Sequence, residues 1–191
     1  MARVIHPIEA ESYRILRSRI DLSHLPPLSR AVAERVIHAS ADLSFGGSLV
    51  LDETALRRGR DALTAGAPVY CDARMVAAGL TTLSPRVTLD DPRARSSAGL
   101  TRSAAAMRLA AAEAPPGAVW IVGNAPTALA ELLAGPPADP ALVVGLPVGF
   151  VGAADAKAAL AASDLPCLTN AGERGGSAVA AAAVNALLYY E

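Results

Sequence analysis

The sequence predicts an α/β protein in which helices cover both faces of a mostly parallel sheet. Five short apolar runs lack polar alternation, which is typical of strands buried on both faces, and helix-like stretches separate most of them. The chain has 191 residues, of which 52% are hydrophobic and 18% charged, a balance that suits a well-covered core. We therefore expect a single domain spanning residues 1–191.

Helices are predicted first along the chain. A helix over 7–20 begins with a proline, and a second helix over 28–41 follows the Pro26-Pro27 break. A third helix is predicted over 52–65. All three precede the region where strands and helices alternate, so they are expected as additional N-terminal helices.

From residue 67 onward, strands and helices alternate. The predicted strands are 67–71, 86–89, 118–122, 141–145 and 166–169. The predicted helices are 72–78, 101–114, 126–134, 154–162 and 177–189. Helical connections allow neighbouring strands to run parallel, which favours about five strands in a doubly wound sheet. The expected architecture is a flavodoxin-like, three-layer α/β/α fold.

Charge and composition exclude several classes of function. The net charge is −1 and the pI is about 6.3, so no overall positive field attracts nucleic acid. No apolar run has the length of a membrane span, and the first residues lack the apolar core of a secretory signal. We expect a cytoplasmic protein without a nucleic-acid or membrane partner. Cys71 and Cys167 are each expected to be free thiols.

Ligands of open parallel sheets bind beyond the carboxyl ends of the strands. Asn124 follows one predicted strand and can either cap the next helix or contact a ligand. The segment GERGGSAV places Arg174 and Ser177 at the start of the last helix, which is either a capped helix start or a carboxylate site. Nucleotide binding has little support, because Gly145, Gly149 and Gly152 do not have the spacing of a phosphate-binding loop.

His38 lies near the end of the second predicted helix. Helical spacing places the apolar residues on one face, namely Leu28, Val32, Val36 and Ala39. Glu34, His38 and Asp42 fall together on the opposite, polar side, where either carboxylate could favour a charged imidazolium. The pattern alone leaves two interpretations, a solvated histidine or a proton donor. Neither His6 nor His24 has metal-binding spacing with it, so no metal site is predicted.

Arginines offer candidate contacts for an acidic ligand. Arg14 and Arg17 lie one turn apart on the first helix, and Arg102 begins the helix that follows a loop-like segment over 90–99. Each arginine is either an ordinary surface charge or one of several carboxylate contacts. The segment 90–99 is a candidate flap.

Seven segments together resemble the precorrin-8X methylmutase family of cobalamin biosynthesis. In chain order they are HPIEAESYRILRSRIDL, RVIHASAD, GAPVYCDARMVAAGL, TRSAAA, GNAPTAL, GLPVGFVGAADAK and GGSAVAAAAVNALL. Each motif is weak by itself, but seven in order over nearly the whole chain make an accidental match improbable.

The resemblance implies an isomerase that converts precorrin-8X to hydrogenobyrinic acid by moving a methyl group between adjacent carbons of the macrocycle. It implies no redox cofactor, a homodimer, and a tetrapyrrole bound near the subunit contact. The family's catalytic histidine matches His38, its substrate-contacting serine matches Ser12, and its TRSAAA arginine matches Arg102. Because the substrate carries many carboxylate arms, we add Arg17 and Arg174 as further candidate contacts.

Three alternatives remain at this point. The substrate could be the cobalt-bearing cobalt-precorrin-8 of the anaerobic branch. A fold of this kind could also bind a flavin or nucleotide as an oxidoreductase, although a phosphate fingerprint is missing and aromatic residues are only 4% of the chain. Finally, the chain could be a non-catalytic tetrapyrrole carrier, which would bind the substrate and leave it unchanged.

Overall fold

A computed structural model describes residues 6–96 and 99–190. The helices are α1 Pro7–Arg19, α2 Pro27–Ser40, α3 Phe45–Ser48, α4 Glu53–Thr64, α5 Arg74–Ala78, α6 Arg102–Glu113, α7 Pro126–Ala134, α8 Ala153–Ala161 and α9 Ser177–Leu188. The strands are β1 Leu49–Leu51, β2 Val69–Cys71, β3 Arg86–Val87, β4 Val119–Val122, β5 Leu142–Gly145 and β6 Cys167–Asn170. Thr88–Asp90 and Pro92–Ser96 form short 3₁₀ turns.

The strands form one sheet with the order β1-β6-β5-β4-β2-β3. All neighbours run parallel except β1, which is antiparallel to β6 and pairs Leu49 with Asn170. The predicted mostly parallel α/β fold is confirmed, and each of the five predicted strands is present, four of them shortened and the last shifted by one residue to Cys167–Asn170. β1 was not predicted, because three residues give no pattern of their own and the pairing with β6 is non-local.

The two faces of the sheet are covered by different helices. Val119 and Ile121 of β4 pack into one core with residues of α2, α4 and α9, while Trp120 and Val122 pack into a second core with residues of α6, α7 and α8. This alternation follows from the two-residue period of a strand. The result is the predicted three-layer arrangement, with α1 lying outside on α2.

The carboxyl edge of the sheet is held together by a buried aspartate. Asp72, directly after β2, is fully buried and accepts three backbone amides, from Gly123 at 3.0 Å, Asn124 at 2.9 Å and Ala125 at 2.7 Å. Burial raises the pKa of Asp72, and the three amides oppose that shift. Asp72 was expected to begin a helix, but its side chain instead joins β2 to the turn after β4.

Substitution Asp72→Ala is expected to lower the free energy of unfolding by about 3 kcal/mol. The reason is that the backbone amides of residues 123–125 lose their charge-assisted hydrogen bonds to the Asp72 carboxylate. Urea denaturation measures this loss. Asp164→Ala is the control, since Asp164 is exposed and its loss should change stability by less than about 0.5 kcal/mol. Equal stability of the two variants would contradict the role given to Asp72.

Candidate active site

His38 lies in the last turn of α2, half-buried against α1. Val32 and Val36 are fully buried on the core side of α2, as predicted, although Ala39 is exposed. The Nδ1 atom of His38 lies 2.8 Å from the Ser12 hydroxyl of α1. The structure therefore brings the two residues together, although 26 positions separate them in the chain.

The imidazole of His38 is also held across its face. The ring of Tyr13 stacks on it with 4.8 Å between centroids and 9° between planes. The guanidinium of Arg17 lies 5.6 Å from the centroid of the Tyr13 ring. The Nδ1 contact with Ser12 and the stacking on Tyr13 restrict the orientation of the imidazole. Over residues 6–96 and 99–190, Nε2 has no hydrogen-bond partner, so it is the ring nitrogen that remains available.

Neither carboxylate predicted to face His38 contacts it. Glu34 is bound by Arg17 through two hydrogen bonds of 2.9 and 2.7 Å, and Asp42 is bound by Arg174 at 2.5 Å. The Ser44 hydroxyl and amide, together with Arg174, hold the pKa of Asp42 below its usual value. The expectation was wrong because helical spacing describes α2 alone, whereas α1 and the loop before α9 supply the actual partners.

His38 borders a hollow of about 340 Å³. The hollow is lined by His6, Ile8, Glu9, Arg35 and His38. Arg35 bonds Glu9 at 2.9 Å, so a positive and a negative group meet in its wall. A second cavity of about 560 Å³ lies between α1, α2 and the end of α9, and its wall includes Tyr13, Arg17 and Glu34.

A second group of predicted residues lies at the carboxyl edge of the sheet. Arg102 is exposed at the start of α6 and donates to the Leu89 carbonyl at 2.7 Å. The hydroxyls of Thr101 and Thr127 are 2.7 Å apart and join the start of α6 to the start of α7. Asn124 precedes α7 and uses its backbone amide to bond Asp72. Arg102 and Asn124 therefore share one rim.

The loop 146–152 continues this rim toward Arg174. The Gly149 amide donates to the Glu173 carbonyl at 3.2 Å, next to Arg174. At the tip of the loop, Phe150 is 93% and Val151 88% exposed. The Ser177 hydroxyl is buried and has no hydrogen-bond partner among the described residues. Neighbouring exposed apolar side chains that together form a patch indicate a candidate binding surface.

The candidate residues fall into two groups, one around His38 and one on the rim at the carboxyl edge of the sheet, and only Arg14 lies apart from both and from the residue that connects them. Ser12 and Arg17 lie around His38, whereas Asn124, Arg102 and Ser177 belong to the rim. Arg174 connects the groups, because the Asp42 that it binds lies four positions after His38. Arg14 is exposed and pairs with Glu11 at 2.7 Å on its own helix.

Sequence reasoning missed Tyr13, Arg35 and Phe150. The position of Tyr13, beside Ser12 and four before Arg17, carried a signal, because residues at that spacing share a helix face. Nothing in the sequence around Phe150 indicated that its side chain would be exposed. The candidate flap over 90–99 stays a prediction, and residues 97 and 98 lie outside the described residues.

Other candidate chemistries can be located in the structure. Cys71 and Cys167 are free, and burial raises the pKa of Cys71 to about 12. Over 6–96 and 99–190, no three histidine, cysteine or acidic side chains are grouped as metal ligands. In the same part of the chain, no helix combines the length and hydrophobicity needed to cross a bilayer.

Comparisons with known proteins agree on one family. The family model described as precorrin-8X methylmutase matches residues 7–190. A precorrin-8X methylmutase of Pseudomonas aeruginosa is 44% identical over 94% of this chain and 93% of its own length. A cobalt-precorrin-8 methylmutase of Salmonella typhimurium is 41% identical over 96% and 94%.

A solved precorrin-8X methylmutase structure from Thermus thermophilus superposes with a TM-score of 0.86 at 36% identity, covering 96% of each chain. The predicted family is thereby confirmed, together with the reaction class that it implies. The chain belongs to the precorrin-8X methylmutase family and is an isomerase that shifts a methyl group in corrin biosynthesis.

Proposed function

We propose that this chain converts precorrin-8X to hydrogenobyrinic acid, with His38 as the proton donor. The observation that carries the proposal is the fixed imidazole of His38, which borders a hollow with Nε2 left for a ligand. The methyl group moves from one ring carbon to its neighbour, so the composition of the macrocycle is unchanged. His38 donates a proton, or a strong hydrogen bond, as the methyl migrates, and any donated proton returns by the end of the reaction.

Ser12 suits this role because a hydroxyl can both accept and donate a hydrogen bond. It accepts from Nδ1–H when the imidazole is charged, and it donates to Nδ1 when the proton resides on Nε2. Tyr13 limits rotation of the ring through its stacked face. Together these contacts present one nitrogen to the substrate in a constant direction, which is the geometric requirement of an intramolecular reaction.

Carboxylate arms of the substrate would be bound by the surrounding cations. Arg102, Arg17 and Arg174 are exposed, with 63% of the Arg17 side chain and 64% of the Arg174 side chain open to solvent. The Arg174–Asp42 pair is the more exposed of the two ion pairs, and exposed pairs are worth about 0–1 kcal/mol, so a substrate carboxylate can compete for Arg174. Arg17 is held more firmly, through two hydrogen bonds to the buried Glu34, so a substrate carboxylate would bind the part of its guanidinium that Glu34 leaves open. Asn124 and Ser177 are the proposed neutral contacts on the same rim, and the Ser177 hydroxyl, which is buried, would have to become exposed when the substrate binds. No redox cofactor or protein-bound metal has a part in this scheme.

The active form is proposed to be a homodimer with the substrate near the subunit contact. A hollow of about 340 Å³ lies at the lower end of the range for pockets that enclose drug-sized ligands, and a tetrapyrrole with its arms is larger. Additional walls are therefore needed to exclude water. Phe150 and Val151, exposed beside Arg174, are the side chains that we assign to the contact with the second copy.

The cytoplasm is the proposed location, as the resemblance implies. The alternative substrate is cobalt-precorrin-8, which gives its name to the Salmonella relative at 41% identity. Parallel turnover assays with the cobalt-free and the cobalt-bearing substrate distinguish the two, and binding without conversion of either would identify a carrier.

Substitution His38→Ala is expected to retain hydrogenobyrinic acid binding and to slow conversion by about 10²–10⁴-fold, because proton donation is lost while the carboxylate contacts remain. Single-turnover absorbance with precorrin-8X measures the rate. His24→Ala is the matched control, since His24 is exposed and lies outside the site. Undiminished conversion by His38→Ala would refute the assignment.

Substitution Arg102→Ala is expected to weaken hydrogenobyrinic acid binding by about tenfold, because a charge-assisted hydrogen bond to a carboxylate is lost. The rate of the bound substrate should change much less. Fluorescence or absorbance titration gives the affinity. Arg58→Ala serves as control, because Arg58 lies on α4 and pairs with Asp139. An unchanged affinity in Arg102→Ala would rule out this contact.

Substitution Phe150→Ser is expected to raise the dissociation constant of the homodimer at least about tenfold, because a large apolar surface is lost from each copy. Sedimentation velocity over a dilution series measures the change. Val50→Ser is the control, since Val50 is a partly exposed apolar residue on the edge strand β1. A dimer broken by Val50→Ser and not by Phe150→Ser would place the contact at the sheet edge instead.

A further inference from the structure

The chain contains a single lysine, and it is fully buried. Lysine and arginine together number 17, and every other one of these residues is an arginine. Lys157 lies on α8 with none of its surface exposed to solvent. Burying an ammonium group is costly unless its donors are satisfied, and removal from water lowers the pKa of Lys157 to about 8. The catalytic scheme above does not use this group.

The ammonium of Lys157 is directed at one backbone carbonyl. Nζ donates to the carbonyl oxygen of Arg174 and, at 3.1 Å, to Oδ1 of Asn170. The Nδ2 group of Asn170, at the end of β6, donates to the same Arg174 carbonyl at 3.0 Å. Two buried side chains from different elements therefore converge on the main chain of Arg174.

The neighbouring backbone reinforces this position. The Gly176 amide donates to the Leu146 carbonyl at 2.8 Å. Gly175 has a φ of +158°, and a Cβ there would lie 2.4 Å from the same Leu146 oxygen. The loop between β6 and α9 is thus fixed on both sides of Arg174. The Arg174 side chain extends toward α2, where it binds Asp42 at 2.5 Å.

We propose that Lys157 is a positioning residue that acts through the main chain of Arg174. By holding that carbonyl, it keeps the guanidinium at Asp42, four positions after His38, where we place a carboxylate arm of the substrate. The inference rests on the proposed function, because it takes Arg174 as a substrate contact. Lys157 itself touches no substrate, since it lies fully inside the protein.

Stability alone does not account for a lysine at this place. Replacing buried charged groups by apolar residues of similar size is often neutral or stabilising in proteins. An apolar residue at position 157 would leave the Arg174 carbonyl with Asn170 as its remaining donor. The lysine supplies a second, charge-assisted bond, which is stronger and more directional.

The variant Lys157→Met keeps the length of the side chain and removes its donors. We expect hydrogenobyrinic acid to bind it about tenfold more weakly, because Arg174 is no longer held in place. The single-turnover rate of saturating substrate should fall by less than about threefold, since His38 is untouched. In the Arg174→Ala background the same change should weaken binding no further, because residues acting through one contact are not additive.

Leu160→Ala is the matched control for lost stability. Leu160 is also fully buried on α8, but it lies in the core with Leu129 and close to Gly145, whereas Lys157 is bonded to the Arg174 carbonyl. Its substitution should leave the affinity unchanged. Equal weakening in Lys157→Met and Leu160→Ala, or additive effects of Lys157→Met and Arg174→Ala, would overturn the positioning role. If Arg174→Ala alone does not weaken binding, the proposed contact of Arg174 fails first, and this inference fails with it.

A measurement on the unmodified side chain covers the case in which Lys157→Met does not fold. Lysine labelled with ¹³C gives one side-chain signal in this chain, because it has one lysine. Hydrogenobyrinic acid should shift that signal in the otherwise unaltered protein and should shift it far less in Arg174→Ala. A signal that stays in place while the product binds normally to the unaltered protein would refute the proposal.

Discussion

The candidate site depends on how α2 is packed. One face of this helix is buried in the core, and the other face lies against α1. Leu28, Val32 and Val36 are fully buried in the core that α2 shares with α9 and the sheet. Once this face is fixed, the 3.6-residue period turns His38 away from the core and toward α1. The position of the imidazole therefore follows from core packing, and α1 needs only to supply Ser12 and Tyr13.

The choice of a hydroxyl as partner of Nδ1 has a chemical consequence. A carboxylate in that place would only accept, and it would favour the charged imidazolium so strongly that proton release is resisted. The two nearest carboxylates on α2 and its following loop are instead bound by Arg17 and Arg174. These ion pairs occupy the two acidic groups, so neither carboxylate contacts the imidazole of His38.

Sequence reasoning succeeded where periodicity and order along the chain carry the information. The helix Pro126–Ala134 has the predicted bounds, because proline marks its start and apolar spacing marks its length. Neither β1 nor the hydrogen bonds from three backbone amides to Asp72 could be predicted from the sequence, because both join segments that are far apart in the chain. For the same reason the polar face of α2 was recognised, but the partner of His38 on α1 was not. The burial of Lys157 could not be predicted either, because it depends on contacts with Asn170 of β6 and with the loop that follows.

The rim at the carboxyl edge of the sheet combines a backbone held by buried hydrogen bonds with arginine side chains whose exposed hydrogen bonds can be replaced. Asp72 and Lys157 are buried and bind backbone groups, so they hold the turn before α7 and the loop before α9 from inside the protein. Arg102 and Arg174 are exposed, and their present partners are a carbonyl and a surface carboxylate. Bonds inside the protein thus set the positions from which the arginines extend, while the weak exposed bonds at their ends can be replaced. A ligand with several carboxylate arms gains from this division, because the cations are placed before it arrives and only their outer contacts need to change.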